Sequence, residues 1–340
     1  MIYRSKAPLR IGLAGGGTDV SPYCDHFGGA ILNATISLNA SATIELLEGD
    51  EIVLEAVDRE ESETHPWATV LPINGYLDLL KGVYNRVQKD YPFAKQGFRL
   101  STYVDAPAGS GLGTSSTLVV AIVGAFVEML QLPLGEYDIA HYAYEIERTD
   151  LGLAGGRQDQ YAATFGGVNY MEFSADDKVI VNPLRIRQRY LDELENNLLL
   201  FYTSKTRESA ALIERQSKNV TDKKQSTIEA MHQLKIQAQR MKEALLKGNL
   251  DEMGAILDIG FEQKRRMAEG INNQLIDSIY TAAKKAGASG GKISGAGGGG
   301  FMIFYCPGVT KYQVMKNLEP FGGRVRNYQF TKHGLKTWSV

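Results

Sequence analysis

The chain has 340 residues, of which 44% are apolar and 22% charged, with a formal charge of −2. That length accommodates two domains or one large one with a sizeable core, and the near-neutral charge offers nucleic acid no electrostatic footprint. The two cysteines, Cys24 and Cys306, form neither a metal spacing nor a disulfide framework, and the longest apolar run, 118–127, is too short to span a bilayer.

In chain order, a first strand carries Arg10 into the glycines Gly15, Gly16 and Gly17 and ends on Thr18 and Asp19. β-Branched and aliphatic residues predict strands over 30–37, 42–48 and 51–57, with Gly49 and Asp50 as a hairpin turn. The stripe of Leu77, Leu80, Val83, Tyr84 and Val87 predicts a helix over 76–89, and 97–105 alternates as a strand does. A glycine- and hydroxyl-rich stretch from Pro107 to Thr117 comes next, followed at once by an apolar helical run, 118–130.

A helix over 136–149, a short helix over 158–164 and a strand over 167–173 complete a first part, expected as a domain over 1–190. The second, expected over 191–340, has a strand at 197–202 and helices over 208–219, 227–246, 250–268 and 272–286. Short strands at 292–294 and 299–305 then flank a second glycine cluster, and a helix at 310–318 and a strand at 323–330 close the chain.

The stretch 107–117 is the most informative. Its glycines let the backbone curl close to a ligand, and the helix start behind them offers unpaired N–H groups and the positive end of a dipole. Together these features make an anion site. Taken alone, the segment also reads as a plain capped turn. It is not a Walker A loop, because no Lys-Ser or Lys-Thr pair follows the glycines, and its spacing differs from that of dinucleotide-binding loops.

Three further segments could carry chemistry. Asp19 is a carboxylate able to accept bonds from substrate hydroxyls, and Arg10 is a fixed cation suited to a phosphoryl group or a carboxylate. Glu147 and Asp159 could serve as metal ligand and as carboxylate near the nucleophile in phosphoryl transfer; each alone also reads as a helix charge or cap. In the segment from Gly290 to Met302, five glycines and one alanine fill the six positions 295–300 between two apolar strands, so close backbone packing explains the run better than a linker does.

In this order and at these separations, the four segments resemble the GHMP kinases, the family of galactokinase, homoserine kinase and mevalonate kinase. Pro107, Gly111, Leu112, Gly113, Thr114 and Ser115 match its phosphate-loop signature, and residues 294–300 match its C-terminal glycine signature. Residues 155–160 look like the segment that holds its aspartate.

The resemblance implies an α+β, two-domain fold. The N-terminal α/β domain would contain a left-handed βαβ crossover, against the usual right-handed rule. The C-terminal domain would be ferredoxin-like. It further implies ATP between the domains, wrapped by Pro107, Gly109, Ser110, Gly111, Leu112, Gly113, Thr114, Ser115 and Ser116. Ser115 and Glu147 would bind Mg²⁺, and Asp159 would stand at the substrate hydroxyl with Arg10 beside it.

Galactokinases carry Glu and His where this chain has Gly16 and Gly17, which suits a bulkier or differently substituted sugar. The opening run 6–23 and the run 155–168 are similar to those of sugar 1-kinases that act on D-glycero-D-manno-heptose 7-phosphate in nucleotide-activated heptose biosynthesis; L-fucokinases are close rivals. The expected acceptor contacts are Gly16, Gly17, Thr18, Asp19, Gly297 and Gly298, with Arg157, Lys205 and Arg207 as cations for a sugar phosphate. The expected partners are ATP and a small sugar phosphate, not nucleic acid or membrane. The expected location is cytoplasmic, with a homodimer left open. A catalytically silent relative would have lost the aspartate, the metal glutamate or a glycine motif, and all are present.

Overall fold

The computed structural model describes residues 1–204 and 209–340. The chain runs β1 (Ile2–Ala14), α1 (Tyr23–Phe27), β2 (Gly29–Leu46), β3 (Glu51–Ala56), β4 (Glu61–Pro66), α2 (Asp78–Asp90), β5 (Phe98–Val104), α3 (Thr114–Leu130) and α4 (Glu136–Glu145). It continues through α5 (Gln158–Phe165), β6 (Val168–Phe173), β7 (Val179–Pro183), α6 (Gln188–Asn197), β8 (Leu198–Tyr202), α7 (Ser209–Thr221), α8 (Gln225–Lys247) and α9 (Leu250–Arg265). It closes with α10 (Gln274–Lys285), β9 (Gly290–Ile293), β10 (Phe301–Tyr305), α11 (Lys311–Leu318), β11 (Arg324–Val325) and β12 (Lys336–Ser339).

These strands form two sheets. The larger has the order β12-β1-β2-β5-β3-β4, with β6 pairing β2 and β7. Its β3 and β5 pair in parallel, across a connection that contains β4 and α2. The smaller sheet has the order β11-β8-β10-β9 and is antiparallel throughout. Numbered by position in the chain, its strands lie 4-1-3-2, the ferredoxin-like arrangement with helices between first and second and between third and fourth.

The apolar run behind the glycine loop becomes α3, which lies against β1 and β2 with α2, α4 and α5 around it. Residues Val119 to Phe126 are buried on every face, so this helix is the centre of a core rather than an amphipathic cover. A second core joins Leu9, Ile11 and Leu13 of β1 to Met241, Met253 and Leu257 of α8 and α9. It ties the first sheet to the helices of the second half.

Three expectations are corrected. The strands expected at 30–37 and 42–48 are one strand, β2, because β1 pairs along both halves while β6 and β5 take the other edge in turn. The helix expected over 136–149 changes at Ile146 to a π-helical turn, Ile146–Asp150. The closing strand expected at 323–330 is only Arg324–Val325, and the chain then returns to the first sheet, where β12 pairs with β1.

In β9, a Cβ on Gly290 would overlap the carbonyl of Gly254 on α9. Gly290→Ala is therefore predicted to cost about 1–3 kcal/mol of stability, the usual cost of overpacking, measured by denaturant unfolding.

Candidate active site

The glycine loop delivers its chain to α3 in a way that leaves the helix start free. Gly111 and Gly113 have φ of 85° and 78°, a region that side chains disfavour, and no side chain caps the first turn of α3. The first amides of a 17-residue helix therefore face the cleft unpaired by a cap. Gly109, Gly111, Gly113, Thr114, Ser115 and Ser116 line this cleft, whose volume is about 370 Å³. Leu112 instead points into the second core, and Ser110 is fully buried.

The second glycine cluster is a backbone clamp on the loop. Phe301 donates its N–H to the Ser110 carbonyl at 2.9 Å, and Ser294 Oγ donates to the Gly111 carbonyl at 2.8 Å. A Cβ on Gly295 would come within 2.6 Å of Gly111 Cα. Gly297 and Gly298, expected at the acceptor, pack against Ile271; the Gly298 N–H bonds its carbonyl at 2.7 Å. Gly295 and Ala296 line the cleft in their place.

Arg10 is the hub. Its Nε donates to Asp159 Oδ1 at 2.6 Å, and its Nη1 donates to the Gly111 carbonyl at 2.6 Å. The arginine side chain is 4% exposed and the aspartate 21%, so the buried cation holds an acid that faces the cleft. A Cβ on Gly113 would lie 3.0 Å from the Asp159 carboxyl carbon, which brings the acid up against the phosphate loop.

Asp19 organises the same helix from the other side. Its Oδ2 accepts the N–H groups of Arg157 and Gln158 at 2.9 and 3.0 Å, capping the start of α5 from a remote part of the chain. A Cβ on Gly156 would collide with this carboxylate. Burial raises the Asp19 carboxyl above the ordinary aspartate range, and the Gln158 amide bond opposes that shift. Asp19 Oδ1, Gln158 Oε1 and Gln216 Nε2 are buried atoms without a hydrogen-bond partner among the described residues, and all three residues line the cleft. Two acceptors and a donor suit a polyhydroxylated ligand.

Ser115 and Glu147 meet as expected. Ser115 Oγ donates to Glu147 Oε1 at 2.9 Å, and Gln160 Nε2 donates to Oε2 at 2.5 Å. Glu147 is 1% exposed, and its nearest cation is Arg148, at 3.7 Å. A hydroxyl and a carboxylate beside a helix start match the hard oxygen ligands that Mg²⁺ takes along with nucleotide phosphates.

Other expected residues lie elsewhere. Thr18 turns inward, its Oγ1 donating to the Gly15 and Ala30 carbonyls and accepting the Ala30 N–H. The Arg157 guanidinium bonds the Ser174 carbonyl, Asp25 and Asp177, so its charge is spent inside the fold. Lys205 and Arg207 lie outside the described residues. Gly16 and Gly17 line the cleft, and no atom lies within 4 Å of a Cβ built on Gly16.

Sequence reasoning missed Lys264, Lys292, Arg148 and Gln216, which line the same cleft. Lys292 carried a signal, a lone lysine in a strand otherwise made for burial. Lys264 sits in the charged run from Glu262 to Arg266, which looks like solvated surface.

An amide cradle for an anion beside a paired acid and a polyol pocket defines a phosphotransferase. Comparison with known proteins specifies which kind. The family model for the GHMP kinases N terminal domain matches residues 78–167, and the GHMP kinases C terminal model matches 241–318. A D-glycero-alpha-D-manno-heptose 7-phosphate kinase of Campylobacter jejuni is 46% identical over 337 residues, 99% of each chain. The crystal structure of a D-glycero-D-manno-heptose 1-phosphate kinase from Bacteroides thetaiotaomicron aligns over 99% of each chain with TM-score 0.85 and 46% identity. An L-fucokinase/L-fucose-1-P guanylyltransferase of Bacteroides fragilis is 26% identical over 87% of this chain and 34% of its own length. The chain belongs to the GHMP kinase family. It is a kinase that uses ATP, and no helix among the described residues is long and apolar enough to cross a membrane.

Asp19→Asn keeps an oxygen for the α5 amides and removes a buried charge. A raised carboxyl contributes stability that is present at low pH and lost as pH rises through the folded-state value. Asp19→Asn is therefore expected to unfold at the same or a higher temperature than the wild type, with its advantage growing from pH 4 towards neutrality. Its KM for the acceptor is expected to rise at least roughly tenfold, as for loss of a charged hydrogen bond. Thermal scans across pH, paired with steady-state kinetics, check both.

Proposed function

We propose that this kinase transfers the γ-phosphoryl group of ATP to the anomeric C1 hydroxyl of D-glycero-D-manno-heptose 7-phosphate, giving the 1,7-bisphosphate for nucleotide-activated heptose synthesis. The observation that carries this reading is the buried Arg10–Asp159 pair held against the phosphate loop. The choice of sugar rests on the full-length likeness to heptose phosphate kinases and on the open space at Gly16.

In this reading the amides of 109–116 hold the triphosphate. Asp19, Gln158 and Gln216 orient the sugar through their unpartnered atoms. Arg10 holds Asp159 in place through the Nε–Oδ1 bond, and the acid accepts the hydroxyl proton. The sugar oxygen then forms the new O–P bond, the bond between the γ-phosphorus and its bridging oxygen breaks, and ADP leaves with that electron pair. Ser115 and Glu147 are the residues to hold Mg²⁺, which when bound neutralises charge on the β- and γ-phosphates. Arg148, beside Glu147 and Ser116, keeps a second cation near the leaving side.

A coupled ADP-release assay over heptose 7-phosphate, heptose, L-fucose and galactose tests the reading. Rapid turnover is expected only with heptose 7-phosphate; efficient turnover of L-fucose without it contradicts the assignment. Asp159→Asn is expected to lower kcat by roughly 10²–10⁴-fold, the typical contribution of a positioned base, while equilibrium ATP binding stays near wild type.

A further inference from the structure

Two buried lysines face the cleft without an ion-pair partner among the described residues. Lys264 lies one residue before the end of α9, and Lys292 is the third residue of β9, which packs on α9. They are 5% and 8% exposed, and both line the cleft. Lys292 Nζ donates to the Gly12 carbonyl at 2.8 Å, and Lys264 Nζ donates to the Gly295 carbonyl. Among the described residues neither ammonium forms an ion pair. The neighbouring cations differ, since Arg10 is paired with Asp159, and Arg148 lies 3.7 Å from Glu147. An ammonium has three donors, so each lysine retains capacity for a further acceptor.

Holding two unpaired cations out of water is expensive unless something arrives to match them. Burial, together with Arg10, lowers Lys264 to about 8, partly offset by Asp19. Burial, Lys264 and Arg10 together push Lys292 well below the usual lysine range. A dianion at this point would restore both charges.

The location selects the anion. Lys264 and Lys292 line the cleft together with Gly16, Gly17, Asp19 and Gln216, the residues proposed to face the sugar. The phosphate loop has its own amides and the Ser115–Glu147 pair. Arg157 is committed elsewhere, so these two lysines are the unpaired cations that line the cleft among the described residues.

We infer that Lys264 and Lys292 form a second anion subsite, apart from the phosphate loop, that takes the phosphate already carried by the acceptor sugar. The inference builds on the proposed sugar phosphate kinase and names the residues that select a phosphorylated acceptor over a free sugar.

The test uses the full chain with Lys264→Met and Lys292→Met, which keep the side-chain volume and remove the charge. Each is expected to unfold, without ligand, no lower than the wild type, because an unmatched buried charge is gone. The ratio of kcat/KM for heptose 7-phosphate to that for heptose is expected to fall roughly tenfold to a hundredfold, the loss of one charged hydrogen bond, with KM for ATP unchanged. An unchanged ratio overturns the subsite, and so does a rise in KM for ATP alone, which would place the lysines on the triphosphate.

If wild-type enzyme ignores heptose 7-phosphate, the proposed substrate fails by itself. The subsite is then read from thermal stabilisation by D-mannose 6-phosphate over D-mannose: wild-type selectivity lost in both variants supports it. The same selectivity kept in the variants, or no selectivity in the wild type, overturns it.

Discussion

The buried guanidinium of Arg10 is the constraint on which the site depends. It reaches Asp159 and, through the Gly111 carbonyl, the glycine loop ahead of α3, so one rigid fork ties the proposed acceptor acid to the proposed nucleotide loop. A lysine could balance the charge but could not hold both partners with donors fixed in one plane. Such positioning matters in phosphoryl transfer, where the protein contributes geometry and electrostatics rather than covalent chemistry.

The rest of the architecture keeps that fork in place. Arg10 sits on β1, which is paired along its length with β2 and packed on α3, the helix that follows the glycine loop. The loop cannot drift, because Phe301 and Ser294 in the second half of the chain bond its carbonyls. The acid cannot drift, because Asp19 caps the helix that carries it. Three glycines, at 113, 156 and 295, sit where a side chain would press on these contacts, so the glycine motifs serve mainly to let backbone meet backbone or carboxylate.

Much of this was legible in the sequence for identifiable reasons. The phosphate loop is a local signal, glycines and hydroxyls directly ahead of an apolar helix, and local signals survive without knowledge of the fold. Arg10, Asp19, Glu147 and Asp159 were found because each lies in a glycine-marked segment or a family motif. β4 and β12 were missed because they are polar edge strands, held by backbone pairing rather than by an alternating apolar face. The inward turn of Thr18 and the packing of Gly297 and Gly298 on Ile271 depend on contacts with distant parts of the chain. For the same reason Arg157, expected as a cation for the sugar phosphate, is paired inside the fold, while Lys264, in a charged run, is buried.

The central claim is that the cleft sets the acceptor's anomeric hydroxyl between Asp159 and the terminal phosphoryl of ATP. Phosphorus-31 NMR of the product formed from ATP and D-glycero-D-manno-heptose 7-phosphate tests it most directly. The account predicts a second sugar-phosphate resonance coupled to the anomeric proton, appearing in step with ADP. Transfer to any other hydroxyl, or release of inorganic phosphate in its place, would contradict it.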